Sequence, residues 1–273
     1  MMVERKISVS RVFLWILLVI GAAASIFPFF WMLIGSTQNP NDVVAGVLKP
    51  GNQFSQNWKY VSGTYNVLRF FLNSLKIAAF TVIFGILVNG FAAFGFEKYR
   101  SKARERVFAV MLLALILPQI AIVIPLFRLI ATFRLLNTHL AIILPSVMSV
   151  FIIFFLRQNF KMFPTEIMEA GRVDGAHEFR IFFTLVVPSM KATFTSASIY
   201  IFLAQWNSYL WPLMIILNNV QKTLPIALFS MMRDYTIQYG AVMVVVCIST
   251  FPILIMFLAM QRQFVQGLLG SVK

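Results

Sequence analysis

With 273 residues, 60% of them hydrophobic and only 12% charged, the chain lies far from the roughly 45–50% apolar and about 25% charged balance of globular domains, which excludes a soluble core. A formal net charge of +14 would suit nucleic acid in a soluble chain; here the basic residues sit at the ends of apolar runs, where they orient a membrane protein against anionic lipid, and no nucleic-acid partner is expected. The single cysteine, Cys247, lies in an apolar run, so neither a disulfide framework nor a cysteine metal cluster is available, and no metal site is expected.

In chain order, Arg5, Lys6 and Arg11 precede a charge-free stretch over 12–36. A signal peptide is the competing reading, since Ala22, Ala23 and Ala24 resemble a cleavage site, but the apolar run continues past them to spanning length. Residues 37–69 are polar and irregular, with Pro40, Pro50 and Gly51, and read as an outside loop. The second span is predicted over 71–96, with Asn73 and Ser74 capping its start and Lys76 snorkelling near its outer end. A basic loop, 97–106, follows. The third span, 107–127, contains Pro118 and Pro125, two expected breaks that would free backbone carbonyls and place this helix inside the bundle. The fourth, over 140–156, is shorter.

Between 157 and 191 the character changes. Arg157, Lys161, Arg172, Arg180 and Lys191 mix with Glu166, Glu169, Asp174 and Glu178, and at roughly 2.5–3.5 kcal/mol per charge at a bilayer centre this segment cannot lie in lipid. Its first half reads as a helix opened by Pro164, with Phe163, Ile167, Ala170 and Val173 on one face, Glu166 and Glu169 on the other, and Asp174-Gly175 as the stop. Its second half places Phe179, Phe182, Phe183, Val186 and Val187 on one face until Pro188 ends or kinks the helix. Ala170, Gly171, Gly175 and Ala176 cluster at the break, making a knob whose backbone a partner can approach closely. A solvated linker of ordinary amphipathic helices is the alternative. The fifth span is predicted over 192–217 and the sixth over 240–260, with 218–239 outside between them.

This gives an all-α membrane protein of six spans in one domain, 1–273, with 157–191 as a protruding loop. With the N-terminus inside, the inner segments hold fifteen of the 23 Lys and Arg, and five of these crowd into 97–106, so both termini and the charged loop are expected in the cytoplasm. The chain carries only His139 and His177 as histidines and has no H-E-x-x-H, G-x-S-x-G or phosphate-binding G-x-x-x-x-G-K-[ST] pattern. It is expected to be no enzyme, to bind no cofactor and to draw on an external motor.

Glu169-Ala170-Gly171, three residues, Gly175, nine residues, then Leu185, Val187 and Pro188 resembles the EAA loop of permease subunits in binding-protein-dependent ABC importers, with Gly171 for the last Ala, Leu185 for Ile and Val187 for Leu. The stretch FLNSLKIA from Phe71 resembles the entry sequence shared by sugar-importer permeases, and WNSYLWPL at 206–213, Thr223-Leu224-Pro225 and the tail from Gln261 are similar to the second, shorter permease of maltose-type sugar importers. The resemblance implies a type I importer fold in the bacterial inner membrane and three partners: a homologous permease, a cytoplasmic ATPase dimer that uses the ATP, and an extracytoplasmic sugar-binding protein. It implies that the loop's first helix seats in the ATPase, with Glu169, Ala170, Gly171, Asp174, Gly175, Ala176 and Pro188 as the coupling residues of the loop, and that Asn218, Asn219 and Gln221 reach toward the binding protein. The bland alternative for Glu169 is a surface pair with Arg172, worth a few tenths of a kcal/mol; for Asp174 it is a turn residue.

Polar groups inside spans are candidates for the cargo path, and these are Asn89, Gln119, Gln205 and Asn207, with Trp206 or Trp211 able to stack on a sugar ring. Interhelical hydrogen bonds are the commoner use of such amides, and interfacial anchoring of such indoles. The other readings are a membrane scaffold or anchor for a cytoplasmic complex, and an ABC permease for a non-sugar solute. A lone secondary transporter would need buried Asp, Glu or Lys deep in a span, and none is placed there.

Overall fold

The computed structural model describes residues 9–269, with side chains from 12 to 262, and every regular element among them is helical. Arg5, Lys6, the side chain of Arg11 and residues 270–273 of the tail lie outside the described residues. Helix α1 (Val9–Ser36) carries Pro28 within it, and none of its most apolar 18-residue stretch is buried within the chain. Short helices α2 (Pro40–Val44) and α3 (Phe54–Thr64) lead to α4 (Val67–Lys98). Because α4 starts at Val67, Asn73 and Ser74 lie inside it and do not cap it; their side chains are spent on a distant loop, described below.

Ser101 caps α5 (Lys102–Leu113) by accepting from the Arg104 amide, and after a 3-10 turn at Ala114–Ile116 the chain bends by 106° into α6 (Gln119–Thr132). Of the two prolines expected to break this span only Pro118 does so. It forces Leu117 into an extended conformation (ψ 128°), the usual restriction on the residue before proline, whereas α6 continues through Pro125. Helices α7 (Leu140–Val147) and α8 (Val150–Phe160) form a run of spanning length, extended at Met148 and Ser149. The charged segment folds as α9 (Thr165–Val173) and α10 (Glu178–Ile181), a π turn at Phe182–Val186 and α11 (Val187–Ser189), then turns by 88° into α12 (Lys191–Trp206). The fifth expected span is not continuous: α13 (Leu210–Ile215) follows a break at residues 207–209. Helices α14 (Leu224–Met231) and α15 (Tyr239–Leu269) complete the chain. Among the described residues four helical runs are long and apolar enough to cross a membrane, and up to six if each bent pair is counted as one span.

The chain divides into two compact units, one from the residues up to Val67 with Leu228–Phe251, the other from Leu68–Ala227 with the residues from Pro252 on. In the first, the buried Asn57 donates from Nδ2 to the carbonyls of Ser36 (3.0 Å) and Gln38 (2.8 Å), while Gln38 Nε2 donates to Val47 and Lys49 carbonyls, each at 2.7 Å. One buried amide per side thereby satisfies backbone groups that no helix serves. The Tyr65 hydroxyl donates to Asp234 at 2.6 Å; burial, then this bond, pushes the phenol above its usual range.

In the second unit one core joins Phe94 of α4, Leu156 and Phe160 of α8, and Met168, Ile181, Phe182 and Val186 of the charged segment. A second joins Ile77, Ile130, Ile142, Ile215 and Ile226. Through the first core, the segment read as a water-facing loop is rooted in the bundle by its own apolar residues.

Candidate functional site: a rooted knob, a broken-helix cavity and a pinned loop

The knob begins with the helix stop. Gly175 has φ +79°, a left-handed conformation that glycine adopts without a Cβ penalty. The Gly175 amide donates to the Arg172 carbonyl (3.0 Å) and the Ala176 amide to the Gly171 carbonyl (2.9 Å), the paired bonds of a Schellman motif. His177 then starts α10, its Nδ1 accepting from the Arg180 amide at 3.2 Å. Pro188 has no N–H for the turn before it, and the Val187 amide reaches back to the Phe182 carbonyl, so the backbone passes Phe182–Val186 as a π turn.

Helix α9 buries Met168 and Gly171 and leaves Ile167, Ala170 and Val173 exposed, Val173 at 88%. Of the apolar stripe read from the sequence, Ile167, Ala170 and Val173 therefore face out, with Glu166 and Glu169 beside them, while Phe163, ahead of the helix, is buried in the core. A Cβ on Gly171 would stand 2.9 Å from Leu185 Cδ1 and 3.4 Å from Ile181 Cγ1; the glycine at this place matches the longer reach of the leucine at 185. Arg172 pairs with Glu178 at 2.8 Å, not with Glu169, which is exposed and makes no ion pair among the described residues. Asp174 and Pro188 are exposed too, and Ala176 packs onto the core.

The root of the knob is aromatic. Phe182 lies against Phe91 (ring centroids 4.6 Å), Phe94 (5.3 Å) and Phe194 (6.0 Å), and a Cβ on Gly90 would meet Phe182 Cζ at 3.2 Å. Lys98 Nζ donates to the Phe163 carbonyl at 2.7 Å. Beside it lies a cluster that sequence reasoning missed: Arg157, with a side chain 6% exposed, pairs through Nε with Glu97 (5% exposed) at 3.2 Å and through Nη2 with Glu105, over the ring of Phe108 at 4.2 Å. Arg100 pairs with the other Glu97 oxygen. Both Glu97 and Arg157 sit where loops were expected to be wet, and no local pattern distinguishes them from their exposed neighbours.

Three helix breaks frame a cavity of about 820 Å³, within the size range of small-molecule sites. Gln119 and Ile120 come from the break after Pro118, Met148 and Ser149 from the α7–α8 break, and Ser208 and Tyr209 from the α12–α13 break. Irregular backbone at membrane depth is tolerated where it lines a cavity or is buried in protein. Gln119 and Gln205, on different spans, line this one space, as do Tyr200 and Trp211. Asn89, Trp206 and Asn207 do not. Asn89 is fully buried; it donates to the carbonyls of Gly85 (2.6 Å) and Val147 (2.8 Å) and accepts from the Ser149 amide (2.8 Å), so its amide mends the α7–α8 break. Trp206 is 1% exposed and stacks on Phe202 at 5.6 Å. Asn207 is exposed and donates to the Leu203 carbonyl. No cluster of three or more His, Cys, Asp or Glu that could hold a metal ion occurs among the described residues.

The loop between α13 and α14 is pinned from below. Asn73 Nδ2 donates to the carbonyls of Val220 and Lys222, each at 2.9 Å, Ser74 Oγ accepts from the Leu224 amide at 2.8 Å, and Asn137 Oδ1 accepts from the Leu217 (2.6 Å) and Asn218 (3.1 Å) amides. His139 Nε2 lies 3.3 Å from the Gln221 carbonyl, and burial pushes its imidazole below the usual range. Asn218 Oδ1 accepts from the Gln221 amide. Held this way, Asn218 and Asn219 project into solvent, while Gln221 is half-buried.

The family model for the binding-protein-dependent transport system inner membrane component matches residues 81–269. The lactose transport system permease protein of Rhizobium radiobacter is 43% identical over 254 residues, 93% of each chain. The arabinooligosaccharides transport system permease protein of Bacillus subtilis (strain 168) is 29% identical over 274 residues, 98% of each. The sn-glycerol-3-phosphate transport system permease protein of Salmonella typhi is 32% identical over 267 residues, 94% of this chain and 95% of that one. Among solved structures, a chain of a bacterial ABC transporter involved in the import of the acidic polysaccharide alginate matches with a TM-score of 0.81 at 20% identity, over 96% of this chain and 100% of that one; at that identity the likeness concerns the fold.

Proposed function

The chain belongs to the family of binding-protein-dependent transport system inner membrane components, and from that membership we propose that it is one of two permease subunits of an ATP-driven sugar importer, forming half of the pathway. Relatives named for lactose and for arabinooligosaccharides support a sugar, and in particular an oligosaccharide, as cargo. The relative named for sn-glycerol 3-phosphate supports a phosphorylated solute as the second reading. A scaffold without a pathway would have no use for three helix breaks around one cavity.

In this reading both termini and the knob face the cytoplasm, ATP is bound and hydrolysed by a partner ATPase dimer, and this chain adds no catalytic group or cofactor. Asn218, Asn219 and Gln221 meet the extracytoplasmic sugar-binding protein. The observation that carries the coupling role is the outward face of α9: Ile167, Ala170 and Val173 exposed beside an unpaired Glu169, on a helix held in place by buried Met168 and Gly171. An apolar patch flanked by two exposed carboxylates, Glu166 and Glu169, suits a cleft bearing a basic group.

Glu169→Lys and Gly175→Val are the tests. The first reverses the contact charge; the second puts a β-branched residue at φ +79°, at about 1–2 kcal/mol for the left-handed region. Both variants are expected to insert in the membrane at normal levels, to lose the ATPase on purification, and to take up sugar at least about tenfold more slowly, which needs only about 1.4 kcal/mol of lost docking. Normal uptake by both would remove the coupling assignment.

A further inference from the structure

One hydroxyl lining the cavity stands apart from the others. Thr81, on α4, is 1% exposed and lines the cavity, and its Oγ1 has no hydrogen-bond partner among the described residues. Other helical hydroxyls in this chain turn back to the carbonyl four residues earlier: Ser146 to Ile142 (2.9 Å), Ser196 to Ala192 (3.0 Å), Ser198 to Phe194 (2.8 Å) and Thr184 to Arg180 (2.6 Å). Thr81 forgoes that bond. A buried polar atom without a partner is rare in native proteins and costs stability wherever it persists, so its retention calls for a use.

The surroundings indicate the use. Gln205 of α12, 8% exposed, and Gln119 at the start of α6 bring amides to the same space, and Tyr200 and Trp211 bring aromatic surface. Trp211 is held by its Nε1 bond to the Ala141 carbonyl at 3.0 Å, and Tyr200 packs on Phe151 at 4.8 Å. Among the described residues no Asp, Glu, Lys, Arg or His lines the cavity. A phosphate or carboxylate brought here would shed its water without a countercharge, which membrane-depth sites do not tolerate. A neutral polyol loses little: its hydroxyls find amide and hydroxyl partners and its C–H face finds rings.

Building on the permease reading, we infer that this chain itself touches the cargo, that Thr81 is a specificity-determining residue bonding a hydroxyl of a neutral saccharide in the cavity it shares with Gln119 and Gln205, and that phosphorylated or acidic cargo is refused there.

The test uses the complete complex in proteoliposomes, with the binding protein and the labelled probes lactose, arabinotriose and sn-glycerol 3-phosphate. Wild type is expected to move at least one of the two neutral sugars and no sn-glycerol 3-phosphate. Thr81→Val, which keeps the shape and removes the hydroxyl, is expected to lower the sugar moved per ATP hydrolysed about tenfold, the order of effect when a site built for a hydroxyl loses its bond. Binding-protein-stimulated ATP hydrolysis should stay within twofold of wild type, and Thr81→Ser should restore transport; a merely structural role would move assembly and hydrolysis together. Should Thr81→Val fail to assemble, Thr81→Ala replaces it with the same expected loss. Unchanged sugar transport in the hydroxyl-free variant overturns the inference alone, as does wild-type uptake of sn-glycerol 3-phosphate alongside a sugar; wild-type uptake of sn-glycerol 3-phosphate without either sugar strikes the sugar reading as well. Wild-type uptake of none of the three probes strikes the sugar-permease reading itself, and this inference falls with it.

Discussion

Arg157→Met should destabilise the protein by about 3–5 kcal/mol, the cost of leaving a buried charge without its partner, and should be the most damaging of the single charge removals. Glu97 would keep a carboxylate 5% exposed with only the surface-lying Arg100 near it, and Glu105 would lose its contact. Arg157→Lys should rescue little, because a single ammonium cannot reach two carboxylates from one fork and cannot cover the Phe108 ring as a planar guanidinium does. The triple variant Arg157→Met with Glu97→Gln and Glu105→Gln should regain most of the loss, since neutral groups of similar volume carry no such penalty. The measurement is the midpoint of thermal aggregation in detergent, expected to fall by about 10 °C for the single variant and to recover for the triple. Equal midpoints for the single and triple variants would show that the ion pairs contribute nothing specific.

Gly240→Val is expected to be comparably severe for a different reason. A Cβ at 240 would lie 2.3 Å from the Gln38 carbonyl oxygen, which is backbone, and 2.5 Å from Asn57 Nδ2, the end of a side chain held by two hydrogen bonds. To admit even one carbon, Asn57 must give up its bonds to the Ser36 and Gln38 carbonyls. Overpacking at roughly 1–3 kcal/mol then adds to buried groups left unbonded at about 1–3 kcal/mol each. Loss of the protein from the membrane fraction, or protease sensitivity near Asn57, is the expected readout. Gly63→Val is the control: no atom lies within 4 Å of a Cβ there, so its cost should be confined to propensity within α3. If Gly240→Val accumulates and resists protease as Gly63→Val does, the tight approach is not what holds this unit.

Much of the site was legible before any coordinates. The helix stop at Asp174-Gly175 and the kink at Pro188 are local: one needs a left-handed residue, the other a missing N–H, and both are written in residue type. The same holds for the break at Pro118. What misled was also local in origin. Pro125 carries the same signal as Pro118 yet lies within a continuous helix, because a helix with its other bonds intact can absorb one missing donor. Asn73 and Ser74 carry the composition of a cap, but their partners are more than a hundred residues away, at Val220, Lys222 and Leu224.

The amides in the spans divide in the same way. Residue type could nominate Asn89, Gln119, Gln205 and Asn207, but nothing along the chain could say that Asn89 would be used up by Gly85, Val147 and Ser149, or that Gln119 and Gln205 would share a cavity. Thr81 was passed over because a threonine in an apolar helix is ordinary; only its missing bond sets it apart. The sequence alone determined that this is a multi-span helical membrane protein with one charged, two-helix protrusion and turns of set handedness, because hydropathy and backbone preference act between near neighbours. The tertiary structure alone decided which polar atoms are satisfied and which are available, that the stripe of α9 looks outward, and that Arg157 and Glu97 are buried together, because each depends on groups that only folding brings within hydrogen-bond reach.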